Sequence, residues 1–375
     1  MKKLITFFSI CTTVAILALP AAARNSIAQP AIAVQDQCSP EGKDALYASF
    51  LKNRQDAQAK AYEDAKKYLA CPAGEVTEAQ QKIIDYLKKW STAYEKGMRK
   101  IRLTQLLYTE LKYPEAYALG KEILAEEPDN LKILVDLGAN GYLVAPLNNA
   151  SLSAESLAYA KKALEMLEAG KTVEDWMPLA SREVAVAYLN YTIGTHTLQT
   201  DPSTALKHLL KAAQFETPLK KSPYTFAYIA GAYETGPYAK LSEAYKVFSG
   251  KDETPESKLA LANIHQIVDR MIDGYARAVA LAGTDPKHAT AKQGWNESLT
   301  QWYKFRNNDT DAGMSELIAG ILAKPLPPEP TPLTVLPAAP ATTPVGNSGA
   351  PQTNGGSTTP ATGTKPAPKP DRPRQ

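Results

Sequence analysis

Asp201-Pro202, Ser222-Pro223, Thr254-Pro255 and Asp285-Pro286 each set a side chain able to cap a helix directly before a proline. The capping oxygen accepts from a free N–H at the helix start, and the proline lacks the N–H that would go unpaired there. Thr77 with Gln80 reads as a capping box, and Tyr113-Pro114 opens a further helix by the same proline logic. Between these marks, from Glu41 to Leu322, apolar residues recur at helical spacing, as in Ile83, Ile84, Leu87, Trp90, Tyr94 and Met98. No convincing run of alternating β-branched residues interrupts them, so strands are not expected. The pattern predicts an all-α protein, a string of helices of about 10 to 20 residues joined by short turns.

The two ends differ from this middle. Met1–Ala23 has the parts of a secretory signal peptide: Lys2 and Lys3, an apolar stretch from Leu4 to Leu19, and the small residues Ala21-Ala22-Ala23 for cleavage. Ser26-Ile27-Ala28 offers a second cleavage site. Residues 24–40 then read as a short linker. No later segment is apolar for long enough to span a bilayer, so the mature chain is expected to be soluble and exported, in the periplasm, the cell envelope or the medium. Residues 324–375 contain half of the chain's prolines, with Gly, Ser, Thr and Ala between them. Such a composition predicts a disordered tail. It serves as a spacer, or as a recognition segment for a proline-binding groove or an anionic envelope polymer through Lys365, Lys369, Arg372 and Arg374.

The formal charge of +3 comes largely from these ends, which leaves the middle close to neutral. A neutral body lacks the basic footprint that nucleic acid requires. The four histidines, His196, His208, His265 and His288, show no metal-ligand spacing. There is no Gly-x-Ser-x-Gly elbow and no phosphate-cradling glycine loop. Carboxylates fall beside lysines on helix faces, as Glu63-Asp64 does with Lys66-Lys67, and read as solvated ion pairs. Neither an enzyme nor a cofactor is expected. Asn190-Tyr191-Thr192 and Asn296-Glu297-Ser298 match the glycosylation pattern, although Asn190 falls within an expected helix.

Small residues recur in a longer register. Leu103, Thr104 and Leu107 precede Ala116, Gly120, Ile123 and Pro128. Leu134, Leu137 and Gly138 precede Ala160, Ala163 and Leu164, with about six extra residues within Ala145–Ser153. Gly194 pairs with Ala205, Leu209 and Ala212, then Ala230-Gly231 leads to a turn at Gly236-Pro237. Leu261, Ala262, Gly274, Ala278, Leu281 and Pro286 form a last unit. Over residues 41–323 this register resembles the tetratricopeptide repeat family, with some units degenerate. The resemblance implies stacked helical hairpins in a right-handed superhelix, whose concave face is lined by the first helix of each unit. On the matching positions that face consists of Arg102, Gln105 and Tyr108, then Asp136 and Tyr142, then Tyr191 and Thr195, then Tyr228, then Asn263. Its function would be that of a scaffold holding a protein or peptide segment in the groove. The alternative is a helical envelope protein that binds a glycan or another small ligand, with Trp176, Trp295 or Trp302 stacking on sugar faces.

Cys38 and Cys71 set a geometric test. After Pro40 and Gly42 the stretch between them contains no further Gly or Pro, and one unbroken helix would hold the two cysteines about 50 Å apart, at about 1.5 Å per residue. A disulfide needs Cα atoms within roughly 7 Å. A hairpin satisfies both, with Asn53 ending one helix in a left-handed cap and Asp56 capping the next. The expected role of the bond is to brace a terminal unit.

Overall fold

The computed structural model describes residues 37–72, 75–147 and 149–336. The signal peptide, most of the linker and residues 337–375 lie outside the described residues. Those described are helical, and none of them is in a strand. No helix among them is long and apolar enough to cross a membrane. Residues as far as Glu95 form one unit and those from Lys96 a second.

The first unit begins with a hairpin of α1 (Pro40–Asn53) and α2 (Gln58–Ala70). Ser39 caps α1, its hydroxyl accepting from the Gly42 N–H at 3.0 Å. The disulfide joins Cys38 to Cys71 with their Cα atoms 5.2 Å apart. Asn53 does end α1, but in a right-handed conformation, and its amide donates back to the Ser49 carbonyl. Asp56 does not cap α2: Ala57 stands at the cap with no side-chain bond. The tight turn is therefore held by the helices it joins and by the disulfide at their open ends. Phe50, Ala61, Ala65, Tyr68 and Leu87 form the core of this unit, with Trp90 edge-on to Phe50 at 5.0 Å. Asp64, almost fully buried, accepts from the Ser49 hydroxyl at 2.6 Å.

The helix α3 (Glu78–Tyr108) opens with the expected box, Thr77 Oγ1 accepting from the Gln80 N–H and Gln80 Oε1 from the Thr77 N–H. In the second unit it is followed by α4 (Tyr113–Glu126), α5 (Leu131–Ala139), α6 (Ala150–Glu168), α7 (Arg182–Thr197), α8 (Pro202–Gln214) and α9 (Pro223–Tyr233). Then come α10 (Ala239–Tyr245), α11 (Pro255–Ala282), α12 (Ala289–Arg306) and α13 (Met314–Gly320). From α4 to α9 each helix packs on the next in sequence; α9 then packs on α11, and α11 on α12. Asp201 and Thr254 cap α8 and α11 as expected, Thr254 within a capping box. Ser222 precedes α9 without a side-chain bond, and Asp285-Pro286 opens only a single 3-10 turn before α12.

Small residues set how closely these helices approach. A Cβ on Gly138 would lie 2.7 Å from the Ala160 Cα on α6 and 2.8 Å from Leu189 Cδ2 on α7. A Cβ on Gly194 would meet Leu209 Cγ at 2.6 Å. Two short 3-10 turns, Gly141–Leu143 and Ala145–Leu147, lie between α5 and α6; the second falls where extra residues were expected, and Ala150–Ser153 already belongs to α6.

Three further expectations are corrected. Gly236-Pro237 is not a turn: Glu234–Tyr238 is a π-helical segment that carries α9 into α10. Pro237 cannot supply the regular i→i−4 bond, and the widened turn absorbs that loss. The last unit is not a hairpin, because Leu261–Leu281 lies within one 28-residue helix, α11. Gly274 within it breaks nothing; it lets α11 touch α9, where an added Cβ would meet Ala230 Cβ at 3.0 Å. The proline-rich tail, expected to be disordered from residue 324, begins with residues pinned to α11: Arg277, Arg270 and Asn263 bind the backbone of Pro325, Pro328 and Leu333.

Three substitutions test this architecture. Gly138→Ala destabilises the second unit by about 1–3 kcal/mol, since backbone blocks the new methyl. Gly231→Ala on α9, where nothing lies within 4 Å, stabilises it by up to about 1 kcal/mol; paired denaturant melts compare the two. The Cys38→Ser/Cys71→Ser variant loses about 3–4 kcal/mol in the first unit, read as faster hydrogen exchange in α1 and α2.

Candidate functional site

The second unit brings aromatic rings from several helices into one series. It starts where α5 ends. Asn140 closes that helix, its side-chain amide donating to the Asp136 carbonyl at 2.9 Å. Gly141 then passes so close to α6 and α7 that an added Cβ would meet Thr192 Cγ2 at 2.5 Å and Ser156 Cβ at 2.9 Å. This approach lets the Tyr142 N–H donate to Thr192 Oγ1 at 3.1 Å, which lays the Tyr142 ring on α7. There it stacks on Tyr188 at 5.7 Å and meets Tyr191 edge-on at 5.2 Å. Tyr191 touches Tyr228 at 6.2 Å, Tyr228 touches Tyr224 at 6.2 Å, and Tyr224 meets Trp295 edge-on at 5.2 Å. His288 closes on Tyr224 from another side at 5.5 Å.

Tyr191 is buried at the centre of the series, and Tyr142, Tyr188, Tyr228, Tyr224 and Trp295 are half-buried around it. Burial pushes the Tyr142 phenol up to about 12 and raises those of Tyr188 and Tyr228 as well. These hydroxyls therefore stay neutral near pH 7. The surface they make offers broad apolar faces with uncharged polar tips, suited to stacking and hydrogen bonding and not to holding a charge.

Of the residues expected to line a groove, Tyr142, Tyr191 and Tyr228 are in this series. Tyr108 and Asp136 meet elsewhere: the phenol donates to Asp136 Oδ1 at 3.1 Å, and Lys132 Nζ reaches both carboxylate oxygens at 2.6 Å. Asp136 is only 2% exposed, and burial pushes its carboxyl up against the pull of Lys132 and Tyr108. Arg102 is exposed and paired with Glu110, and Gln105 is exposed on the same helix. Thr195 donates to the Thr192 carbonyl within its own helix. Asn263 is engaged by the backbone of Leu333. Tyr188 and Tyr224 were missed, although each lies one helical turn before a residue that was named. Of the tryptophans, Trp302 is buried in the core, Trp176 packs on a separate cluster and Trp295 belongs to the series.

Other clusters offer less. His196 Nε2 lies 3.1 Å from the fully buried Ser156 hydroxyl and 2.9 Å from the Gly141 carbonyl. A carbonyl only accepts, so Nε2 carries the proton and cannot take one from Ser156. Asn190 is fully buried and bonded to His208 and the Val186 carbonyl, so its glycosylation pattern is not presented by the folded chain. An open cleft of about 790 Å³ includes Lys100, Lys132 and Asp129 in its lining, and each of these is already paired with an opposite charge. No group of three or more His, Cys, Asp and Glu among the described residues is placed to hold a metal ion.

At the π-helical segment, the Tyr275 hydroxyl donates to Glu234 Oε2 at 2.7 Å, and Trp302 donates to the same carboxylate. Burial raises the Glu234 carboxyl from its ordinary 4.5, with no cation to oppose it. The folded chain therefore holds this proton more tightly than the unfolded one. Its contribution is fully present below about pH 4.5 and is lost as pH rises through the raised value. Glu234→Gln is expected to flatten the fall in melting temperature as pH rises above about 4.5 and to raise it at the upper end, as scanning calorimetry at several pH values would show. In comparisons with family models, curated proteins and solved structures, nothing matches the chain.

Proposed function

We propose that this chain is an exported, tetratricopeptide-like scaffold that holds an extended protein or peptide segment along the aromatic series of its second unit, in the periplasm or cell envelope. The observation that carries the proposal is the continuity of those rings. Tyr142 after α5, Tyr188 and Tyr191 on α7, Tyr224 and Tyr228 on α9 and Trp295 on α12 come from separate stretches of the chain, yet in the order Tyr188, Tyr142, Tyr191, Tyr228, Tyr224, Trp295 each touches the next. A row of rings, buried at its centre and half-buried around it, suits a chain of amides and apolar side chains, which meets rings and polar tips in turn. The same row lacks an acid–base pair, which favours holding over chemistry. The export part of the proposal stands on Met1–Ala23 and on the disulfide, which fits an oxidising compartment.

A second reading rests on one pair. Tyr224 and Trp295 meet edge-on, and a half-buried Trp beside a Tyr is also a surface for a sugar ring. The full-length protein should be screened by thermal shift against soluble glycans and by phage display against peptides. On the scaffold proposal, peptides are enriched and glycans give no shift. Tyr142→Ala with Tyr228→Ala then weakens the selected peptide about tenfold or more while helicity by circular dichroism is kept. Glycan shifts without peptide enrichment would favour the second reading. Unchanged peptide affinity in the double variant would remove the aromatic series from the site.

A further inference from the structure

The helix α11 carries Asn263, Arg270 and Arg277 at intervals of seven residues. Seven residues are close to two full helical turns, so the three side chains form a row along one face, about 10.5 Å apart at about 1.5 Å per residue. Each holds the backbone of the proline-rich segment. Arg277 Nη2 donates to the Pro325 carbonyl at 2.8 Å and Arg270 Nε to the Pro328 carbonyl at 2.8 Å. Asn263 binds Leu333 twice, donating to its carbonyl at 3.1 Å and accepting from its N–H at 2.7 Å. The segment runs opposite to the helix.

The spacing of the first two contacts has a physical origin. Three residues of polyproline II helix advance about 9 Å and complete one turn, so carbonyls three apart point the same way. That matches two turns of α-helix closely enough for Arg277 and Arg270 to meet Pro325 and Pro328 in register. The chemistry matches too. Prolines offer carbonyls and no N–H, and a guanidinium donates and never accepts. Arg277 is 4% exposed and is held in place by the Asp273 carboxylate at 2.6 Å, with its guanidinium over the Phe226 ring. Leu326 adds an apolar contact with the core. The polar contacts read the backbone of the segment and none reads a side chain.

We propose that this row is a binding site for extended proline-rich peptide segments, and that residues 325–333 are its resident occupant, keeping it closed to other segments. It is separate from the aromatic series, and neither proposal needs the other. A site that reads backbone carbonyls at polyproline spacing accepts any segment with that conformation. Tethering keeps the resident segment at high local concentration, so an external segment competes poorly until the resident one is displaced.

The test uses the full chain and a fluorescein-labelled peptide with the sequence of residues 324–336, read by fluorescence anisotropy. In one variant residues 325–333 are replaced by a Gly-Ser sequence of equal length. In a milder one, Leu333→Pro removes the N–H given to Asn263, together with the leucine side chain, and leaves the rest of the segment in place. The replaced chain should bind the peptide at least tenfold more tightly than the unaltered chain, with Leu333→Pro in between. Adding Asn263→Ala or Arg270→Ala to the replaced chain should abolish the gain. A scrambled peptide with its prolines changed to glycine should not bind. If the replaced chain proves unfolded by circular dichroism, Leu333→Pro decides alone. Equal binding to all chains, or a gain that survives Asn263→Ala, would overturn the proposal.

Discussion

The contact on which the second unit most depends is the approach of the backbone around Gly138 and Gly141 to α6 and α7. Neither position has room for a methyl group, and at Gly138 the obstruction is the backbone of Ala160. Because the chain can come this near, α5 packs on both α6 and α7, and the turn that follows it can place Tyr142 on Tyr188 and Tyr191. Close packing of this kind has little slack, since interiors are as dense as organic crystals. The aromatic series is thus a product of small residues several ångströms beneath it. Its position is fixed by glycine as much as by tyrosine.

Local signals were legible in the sequence where both partners lie within one turn of chain. Thr77 with Gln80, Asp201 with Thr204 and Thr254 with Ser257 are caps of this kind, and each forms. The hairpin between the cysteines was legible for another reason, because covalent geometry excluded the alternative. Asp56 shows the limit. It has the right chemistry, yet the cap falls at Ala57, since the turn is shaped by how α1 and α2 pack. The length of α11 was hidden because Gly274 reads as a hairpin residue, while its neighbour across the contact, Ala230, is far away in sequence.

The aromatic series was only half legible for the same reason. Helical spacing from Tyr191 and Tyr228 leads to Tyr188 and Tyr224, but nothing local joins those rings to Trp295 on α12. The tail was misread over its first residues because composition counts only what a segment contributes to its own ordering. Pro325–Leu333 has few apolar groups, and the donors that order it are supplied from 48 to 70 residues earlier in the chain. Entropy lost by a proline-rich segment is also smaller than for other sequences, because its dihedrals are already restricted.

A helix that meets its partner every seven residues is a ruler with fixed marks. One residue inserted between Asn263 and Arg277 would swing everything beyond it by about 100° and carry part of the row to another face. Substitutions at the positions between the marks leave the alignment untouched, whereas changes in length do not. In any lineage that retains the clasp, the solvent-facing letters of this helix can change, but the length of chain between its three marks cannot.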